Sequence, residues 1–459
     1  MENQMLHILR KSGVIKGNTP NIINIQKMSV KKIFNIIEES VEATTSIKIK
    51  PNISKFTHSA SLSLSGTRKP CQHLKCRINK ISQVARFAAL YSDQVYIHNF
   101  LSNYLMHPLP IENINEEELK NNFIEDIIVY SKISPLIESN IIIPYVAPKN
   151  ICPNCLAEKS FGTNAGKRFK KKYKELCDEY FNNTEIYFEK KSVYYALKCK
   201  STEELLEHGI QILTRESPCS ILKSMPRLLS KVENGESVLL SNTIKKKLKI
   251  HKNFAEDIIQ NISFELASAQ CLNTNFLTER PIHIDVLNSI SKDKHIGLNN
   301  HIAYKYITSN VPFLGEINIS DVLKVRKREN EAFLVYRNAL AQAINEYKSK
   351  KTILTKSVAQ EIYFDIIAPK LAILDRRVEI AKKDLIKSGS RKLIGWVGAI
   401  SFGVYLGYLN SDLIKMATAL GLTKVIADFT EMLMNKSDSE QEIQNNDMYF
   451  LWKVQQLRK

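Results

Sequence analysis

Ser59-Ala60-Ser61-Leu62-Ser63-Leu64-Ser65-Gly66 alternates small polar and apolar residues and runs directly into Pro70-Cys71-Gln72-His73-Leu74-Lys75-Cys76. The alternation suits an edge strand or a loop. The cysteine pair that follows suits a metal turn, because two thiolates a few residues apart can grip one ion from one side. A second pair stands in Ile151-Cys152-Pro153-Asn154-Cys155, directly after the short apolar strand candidate Ile141-Ile142-Ile143-Pro144-Tyr145-Val146. Two such turns close a tetrahedral Zn²⁺ site, so Cys71, Cys76, Cys152 and Cys155 are the expected ligands of a structural zinc. The zinc either fixes the fold or presents basic loops to nucleic acid. Four reduced cysteines without metal are the third option. His73 can replace one thiolate, and Lys69, Lys75, Arg77 and Lys80 around the first pair favour charged sulfur or a bound phosphate.

Outward from this point the chain reads as five segments. Residues 1–60 form a basic, partly irregular N-terminal arm with one helix candidate near Val30–Val41. Residues 61–165 form the zinc-bound module, with helix candidates at Ile78–Tyr91 and Glu116–Tyr130 and a strand at Gln94–Phe100. Residues 166–310 carry a hairpin over Thr184–Lys200 and helices over Thr202–Leu213, Asn253–Gln270 and Ile284–Ser291. Residues 311–390 form an array of long helices, the first capped by Ser320 with Asp321 in its opening turn. There Phe333, Tyr336, Leu340, Ile344 and Tyr347 recur at three- and four-residue steps as an apolar stripe. Residues 391–459 hold an apolar Gly-rich helix, an amphipathic helix and a tail. The expected class is a mainly α-helical multi-domain protein, α+β overall.

At 459 residues, with 44% hydrophobic and 24% charged residues, the chain can bury a core and is not globally disordered. Its net charge of +18 is the outlier, and such a surface attracts polyanions. Residues 1–90 alone hold fifteen Lys and Arg against four Asp and Glu, a net of +11. Eight sparse cysteines fit a reducing compartment, which makes the cytoplasm the expected location.

Two basic runs contain aromatic residues or lie near them. Lys167, Arg168, Lys170, Lys171, Lys172 and Lys174 surround Phe169 and Tyr173, and Lys245-Lys246-Lys247-Leu248-Lys249-Ile250-His251-Lys252 is the second cluster. Such runs can bind phosphate while a ring stacks on a base, and they also occur as plain solvated helix faces. Leu393–Leu409 is uncharged over 17 residues, with Gly395, Ala399, Gly403 and Gly407 on one face. That length is at the lower limit for a bilayer span, so the run is either a buried core helix or a membrane-inserting, helix-packing one.

Catalytic motifs are scarce. Glu189 two residues before Lys191, downstream of Asp178 and Glu179, is the residue pattern of a metal-dependent nuclease but is common by chance. His283 and Asp285 read as a helix start rather than a dyad. The expected function is therefore a non-catalytic, zinc-stabilised basic adaptor or sensor for nucleic acid. An accessory role such as bacterial defence against phage would suit it. The alternatives are an effector that docks on an anionic membrane and inserts through Leu393–Leu409, and the nuclease around Glu189 and Lys191. The C-terminal helices are the expected surface for self-association or a protein partner.

Overall fold

The computed structural model describes residues 3–45, 56–68, 71–106, 115–146, 158, 164–190, 195–201, 205–206, 210–213, 216–290, 303–304, 307, 319–350, 369–370 and 446–456. The chain divides into two compact units, residues 1–305 and 306–459.

The first unit opens on α1 (Gln4–Lys11), a small hairpin of β1 (Ile15–Lys16) and β2 (Thr19–Pro20), α2 (Ile22–Lys27) and α3 (Val30–Thr45). Asn3 starts α1 by accepting from the backbone N–H groups of Met5 and Leu6, which satisfies two donors the helix cannot pair internally. Met5, Leu6, Leu9, Ile33 and Ile37 are buried. The helix expected near Val30–Val41 is α3, and the rest of residues 4–45, expected to be irregular, is largely helical and packed as well.

Next come β3 (Thr57–Ala60), α4 (Leu74–Tyr91), β4 (Gln94–His98), α5 (Glu116–Glu138) and β5 (Ile142–Tyr145). Asn115 caps α5, and Glu116, Glu117 and Glu118 fill its first turn, where negative charge complements the helix dipole. After α6 (Ala165–Asn183) the chain forms β6 (Glu185–Lys190), β7 (Tyr195–Lys200), β8 (Ile210–Leu213), α7 (Glu216–Lys223), α8 (Pro226–Glu233) and β9 (Val238–Leu239). Then follow α9 (Asn242–Leu248), α10 (Ile250–Cys271), β10 (Asn275–Leu277) and α11 (Pro281–Ile290).

Two four-stranded sheets result. One is antiparallel in the order β8-β7-β6-β9. It includes the hairpin expected over Thr184–Lys200. Ile210–Leu213, expected to end a helix, instead pairs with β7, because its alternating branched residues suit an extended chain better.

The other sheet is parallel throughout, in the order β10-β3-β4-β5. Parallel neighbours need long crossovers, which α4 and α5 supply. Pro144 lies in β5 at the sheet margin, where its missing N–H costs no ladder bond. Of Ser59–Gly66, expected as an edge strand or a loop, residues 61–66 are a loop, while Ser59 and Ala60 end β3, which lies inside the sheet between β4 and β10 with all four of its residues buried. Of the polar side chains it buries, His58 and Ser59 find partners there, and Thr57 Oγ1 makes no hydrogen bond. His58 Nδ1 and Ser92 Oγ, for example, are hydrogen-bonded at 2.9 Å. The chain adds β4 and β5 on one side of β3, and β10 then returns on the other. That reversal puts a topological switch point, where open parallel sheets hold ligands in a crevice, beyond the carboxyl ends of β3 and β10.

The second unit contains α12 (Ile319–Arg328), α13 (Asn330–Lys350) and α14 (Tyr449–Gln456). One long helix was expected from Ser320, and the structure breaks it at Glu329. Phe333, Tyr336, Leu340 and Ile344 are all buried, and the Phe450 ring meets Phe333 edge-on at 5.2 Å. The Arg326 guanidinium lies 4.0 Å from the Phe333 centroid. Among the described residues the protein is therefore mostly helical, with two four-stranded sheets and one two-stranded sheet, an α+β chain. Leu393–Leu409, including Gly395, Ala399, Gly403 and Gly407, lies outside the described residues. Among the described residues no helix is long and apolar enough to cross a membrane.

Candidate functional site

The loop Ser61–Thr67 leaves the end of β3 and is fixed by bonds within itself and by bonds to β4 and β10. Ser61 N–H donates to Leu277 O at the end of β10 (2.9 Å), and the Leu64 and Ser65 N–H groups fold back onto Ser61 O. Ser65 Oγ accepts from His98 N–H in β4 at 3.1 Å, and Thr67 Oγ1 donates to Leu62 O at 2.9 Å. Gly66 has φ +76°, and a Cβ there would lie 3.0 Å from Val129 Cγ1 and 3.3 Å from Ile81 Cβ. Only glycine fits both the backbone and the space.

Beneath the loop is a buried ion cluster. Arg77, 2% exposed, donates from Nε to Gly66 O at 2.9 Å and pairs through Nη2 with Asp126. Asp126 also accepts from Arg68 Nη2 (3.1 Å) and Tyr104 Oη (2.5 Å). A buried charge pair of this kind costs several kcal/mol to break by removing one partner. Arg77 was expected at a nucleic-acid surface, and its burial in this pair corrects that expectation. It is a structural clamp on the loop.

Facing the loop, α10 supplies Glu265. Its Oε1 accepts from Leu62 N–H at 3.0 Å, and its Oε2 makes no hydrogen bond. Oε2 lies 3.8 Å from Nδ1 of His283 in α11, and both residues are under 5% exposed. His283 Nδ1 and Thr278 Oγ1 are hydrogen-bonded at 3.1 Å, and His283 Nε2 makes no hydrogen bond. Burial pushes the Glu265 carboxyl up to about 7, against the pull of the Leu62 N–H and Arg280. Burial, and then Arg280, hold His283 well below the usual imidazole range, so it is neutral. A carboxyl that titrates near neutrality beside a neutral imidazole can exchange a proton with a bound molecule at ordinary pH. Glu279, just beyond β10, pairs through Oε2 with Lys80 of α4, and its buried Oε1 makes no hydrogen bond.

Lys80 carries the site to the cysteine pair. Cys71 and Cys76 are exposed, stand at the start of α4, and share a thiol–thiol hydrogen bond that raises the Cys76 pKa, while Lys80 and Lys75 lower it. His73 occupies the N-cap of α4 without a side-chain capping bond. Cys152, Cys155 and Lys69 lie outside the described residues. Among the described residues no group of three or more His, Cys, Asp or Glu side chains is placed to hold a metal ion.

The remaining expected residues lie elsewhere in the unit. Lys172 is buried against Asp285 at 2.5 Å, and Arg168 Nε donates to Ile290 O at 2.5 Å, so both tie α6 to α11. Glu189 accepts from Ser237 Oγ at 2.9 Å in β6, and Lys191 lies outside the described residues. Asp285 belongs to the Lys172 pair and is no partner of His283, which does stand in the first turn of a helix. Glu265 was missed. One signal for it existed, an acid inside the apolar stripe Ile258, Ile262, Leu266 and Ala269 of the predicted Asn253–Gln270 helix. No protein-family model, curated protein or solved structure matches the chain.

Proposed function

We propose that residues 1–305 form a ligand-binding α/β unit whose ligand is a nucleotide or another small phosphorylated molecule, seated at the crevice beyond β3 and β10. One observation carries this reading: Glu265 holds the loop after β3 while facing His283 after β10, and both keep a buried polar atom unbonded. Buried polar atoms are ordinarily satisfied, and exceptions concentrate where a ligand completes them. The phosphate class follows from the surroundings. The start of α4, without a side-chain cap, follows the loop after β3, and Lys80 lies nearly two turns further on. Helix N-termini and lysines at this position of an open parallel sheet are where phosphate groups sit. Glu265 and His283 would meet the non-phosphate part of the ligand and hold or move one proton.

The test is thermal shift with ATP, NAD and ribose 5-phosphate, each with and without Mg²⁺, on the full chain and on Lys80→Met. A rise in melting temperature for the wild type that Lys80→Met loses supports the reading. No shift with any of the three, or a shift that Lys80→Met retains, overturns it.

A structural zinc remains our proposal for the cysteines. It is supported by the adjacent thiols of Cys71 and Cys76, which offer two ligands on one turn, and by Cys152 and Cys155 as the completing pair in the sequence. Its place at the start of α4 would fix the entry to the crevice.

A further inference from the structure

The two basic runs of the sequence meet on one side of the first unit. On α6, Lys167, Lys170, Lys171 and Lys174 are all exposed and follow each other at three-, one- and three-residue steps. That spacing aligns them along one face of the helix. The opposite face is committed, with Phe169, Lys172, Leu176 and Tyr180 buried. Seven residues beyond Lys174 the lysine stripe reaches Phe181. There α9 and the start of α10 arrive from the second run. Lys245 is buried and donates to Phe181 O (3.0 Å) and Thr184 O (2.7 Å), closing the end of α6. Lys246 Nζ lies 5.8 Å from the Phe181 centroid, and the His251 ring meets Phe181 edge-on at 5.3 Å. Lys252 is near enough to Cys177 to lower its pKa. Lys246, Lys247, Lys249 and Lys252 are exposed.

Residues some 70 positions apart in sequence therefore form one basic strip. From Lys167 to Phe181 it spans about 21 Å at 1.5 Å per residue. Acids within or beside it include Glu175, 3.8 Å from Lys171, Asp178, which faces His251, Glu185, near Lys245, and Glu256, near Tyr173.

We infer that this strip, from Lys167 through Lys174 to Lys246 and Lys252, is a docking surface for the phosphate backbone of a nucleic acid. A linear strip of this length matches about half a turn of duplex, and it would be crossed by several phosphates. An anionic membrane fits less well, because surface-bound helices also need exposed apolar side chains to sink into the interface. Among the described residues, none of the exposed large apolar side chains lies on α6, α9 or the first turn of α10. The strip reads no base, so binding is independent of sequence and strongly salt-dependent. It is separate from the crevice, and neither proposal depends on the other.

The experiment is fluorescence anisotropy of the full chain with a labelled 20-base-pair duplex across a salt series, with vesicles of anionic lipid run in parallel. Two variants carry the same loss of charge: Lys170→Gln/Lys171→Gln/Lys174→Gln on the strip, and Lys11→Gln/Lys27→Gln/Lys31→Gln on the N-terminal helices. Circular dichroism melts confirm that both fold. The strip variant is expected to flatten the log–log salt slope by about 2 to 3, at about 0.9 for each phosphate no longer neutralised, while the control leaves it unchanged. Equal losses in the two variants would reduce the effect to net charge and overturn the inference. So would no duplex binding at low salt, or vesicle binding alone.

Discussion

Glu265 Oε2 and His283 Nδ1 stand 3.8 Å apart between the carboxyl ends of β3 and β10, and Glu265 Oε2 and His283 Nε2 are buried without a hydrogen bond. Glu265 is anchored through Oε1 by Leu62 N–H, and His283 is anchored by Thr278 Oγ1 at the same Nδ1 that faces Glu265. The pair is thus held in place by groups that leave Glu265 Oε2 and His283 Nε2 without a hydrogen bond.

The charge on Glu265 should be visible in stability. Its carboxyl is raised from 4.5 to about 7 in the folded chain. For an acid raised on folding, the native state binds the proton more tightly than the unfolded state. Stability is therefore lost as pH rises from about 4.5 to about 7 and stays lower above that. The loss amounts to about 3 kcal/mol at 1.36 kcal/mol per pKa unit. Glu265→Gln keeps the acceptor for Leu62 N–H and cannot ionise. Urea unfolding should find the variant equal to wild type at pH 4 and more stable at pH 8. Equal stability at both pH values would mean that Glu265 does not titrate in this range.

Gly66 is a second point of control. Gly66→Ala places a Cβ at positive φ, against Val129 and Ile81. Strain at such positions costs about 1–3 kcal/mol. Chemical denaturation should show a loss in that range, and an unchanged midpoint would show that the loop relaxes freely.

Arg77 and Lys75 separate structural cations from surface ones. Both flank Cys76, yet only Arg77 is buried against Asp126. Arg77→Ala should destabilise the fold by about 3 kcal/mol or more, since it strands a buried carboxylate. Lys75→Ala should change stability by less than about 0.5 kcal/mol. Comparable melting curves for the two would contradict the clamp.

Metal analysis addresses the cysteines. Purified full-length chain should contain one zinc per molecule, and Cys71→Ser and Cys152→Ser should each reduce it. Chain without zinc, or Cys152→Ser with its full metal content, removes the zinc proposal and leaves the crevice untouched.

Periodicity made much of the fold legible. The stripe at Phe333–Ile344, the acid-led start of α5 and the Thr184–Lys200 hairpin all follow from spacing that only one element can satisfy. The parallel sheet was hidden because its central strand, Thr57-His58-Ser59-Ala60, is polar. Interior parallel strands normally read as apolar runs, and here local hydrogen bonds take the place of hydrophobicity. The crevice was hidden for a different reason. Leu62, Glu265 and His283 are joined only when β10 crosses to the far side of β3, a long-range event with no local signature. Arg77 misled because a basic run does not reveal which of its members points inward.

The most direct test is hydrogen–deuterium exchange of the full chain with millimolar ATP, NAD or ribose 5-phosphate, in wild type and Lys80→Met. The account predicts that at least one compound protects peptides covering residues 71–80 and 277–283 in the wild type and not in Lys80→Met. Protection confined to other parts of the chain, or none with any compound, would contradict a phosphorylated ligand at the ends of β3 and β10.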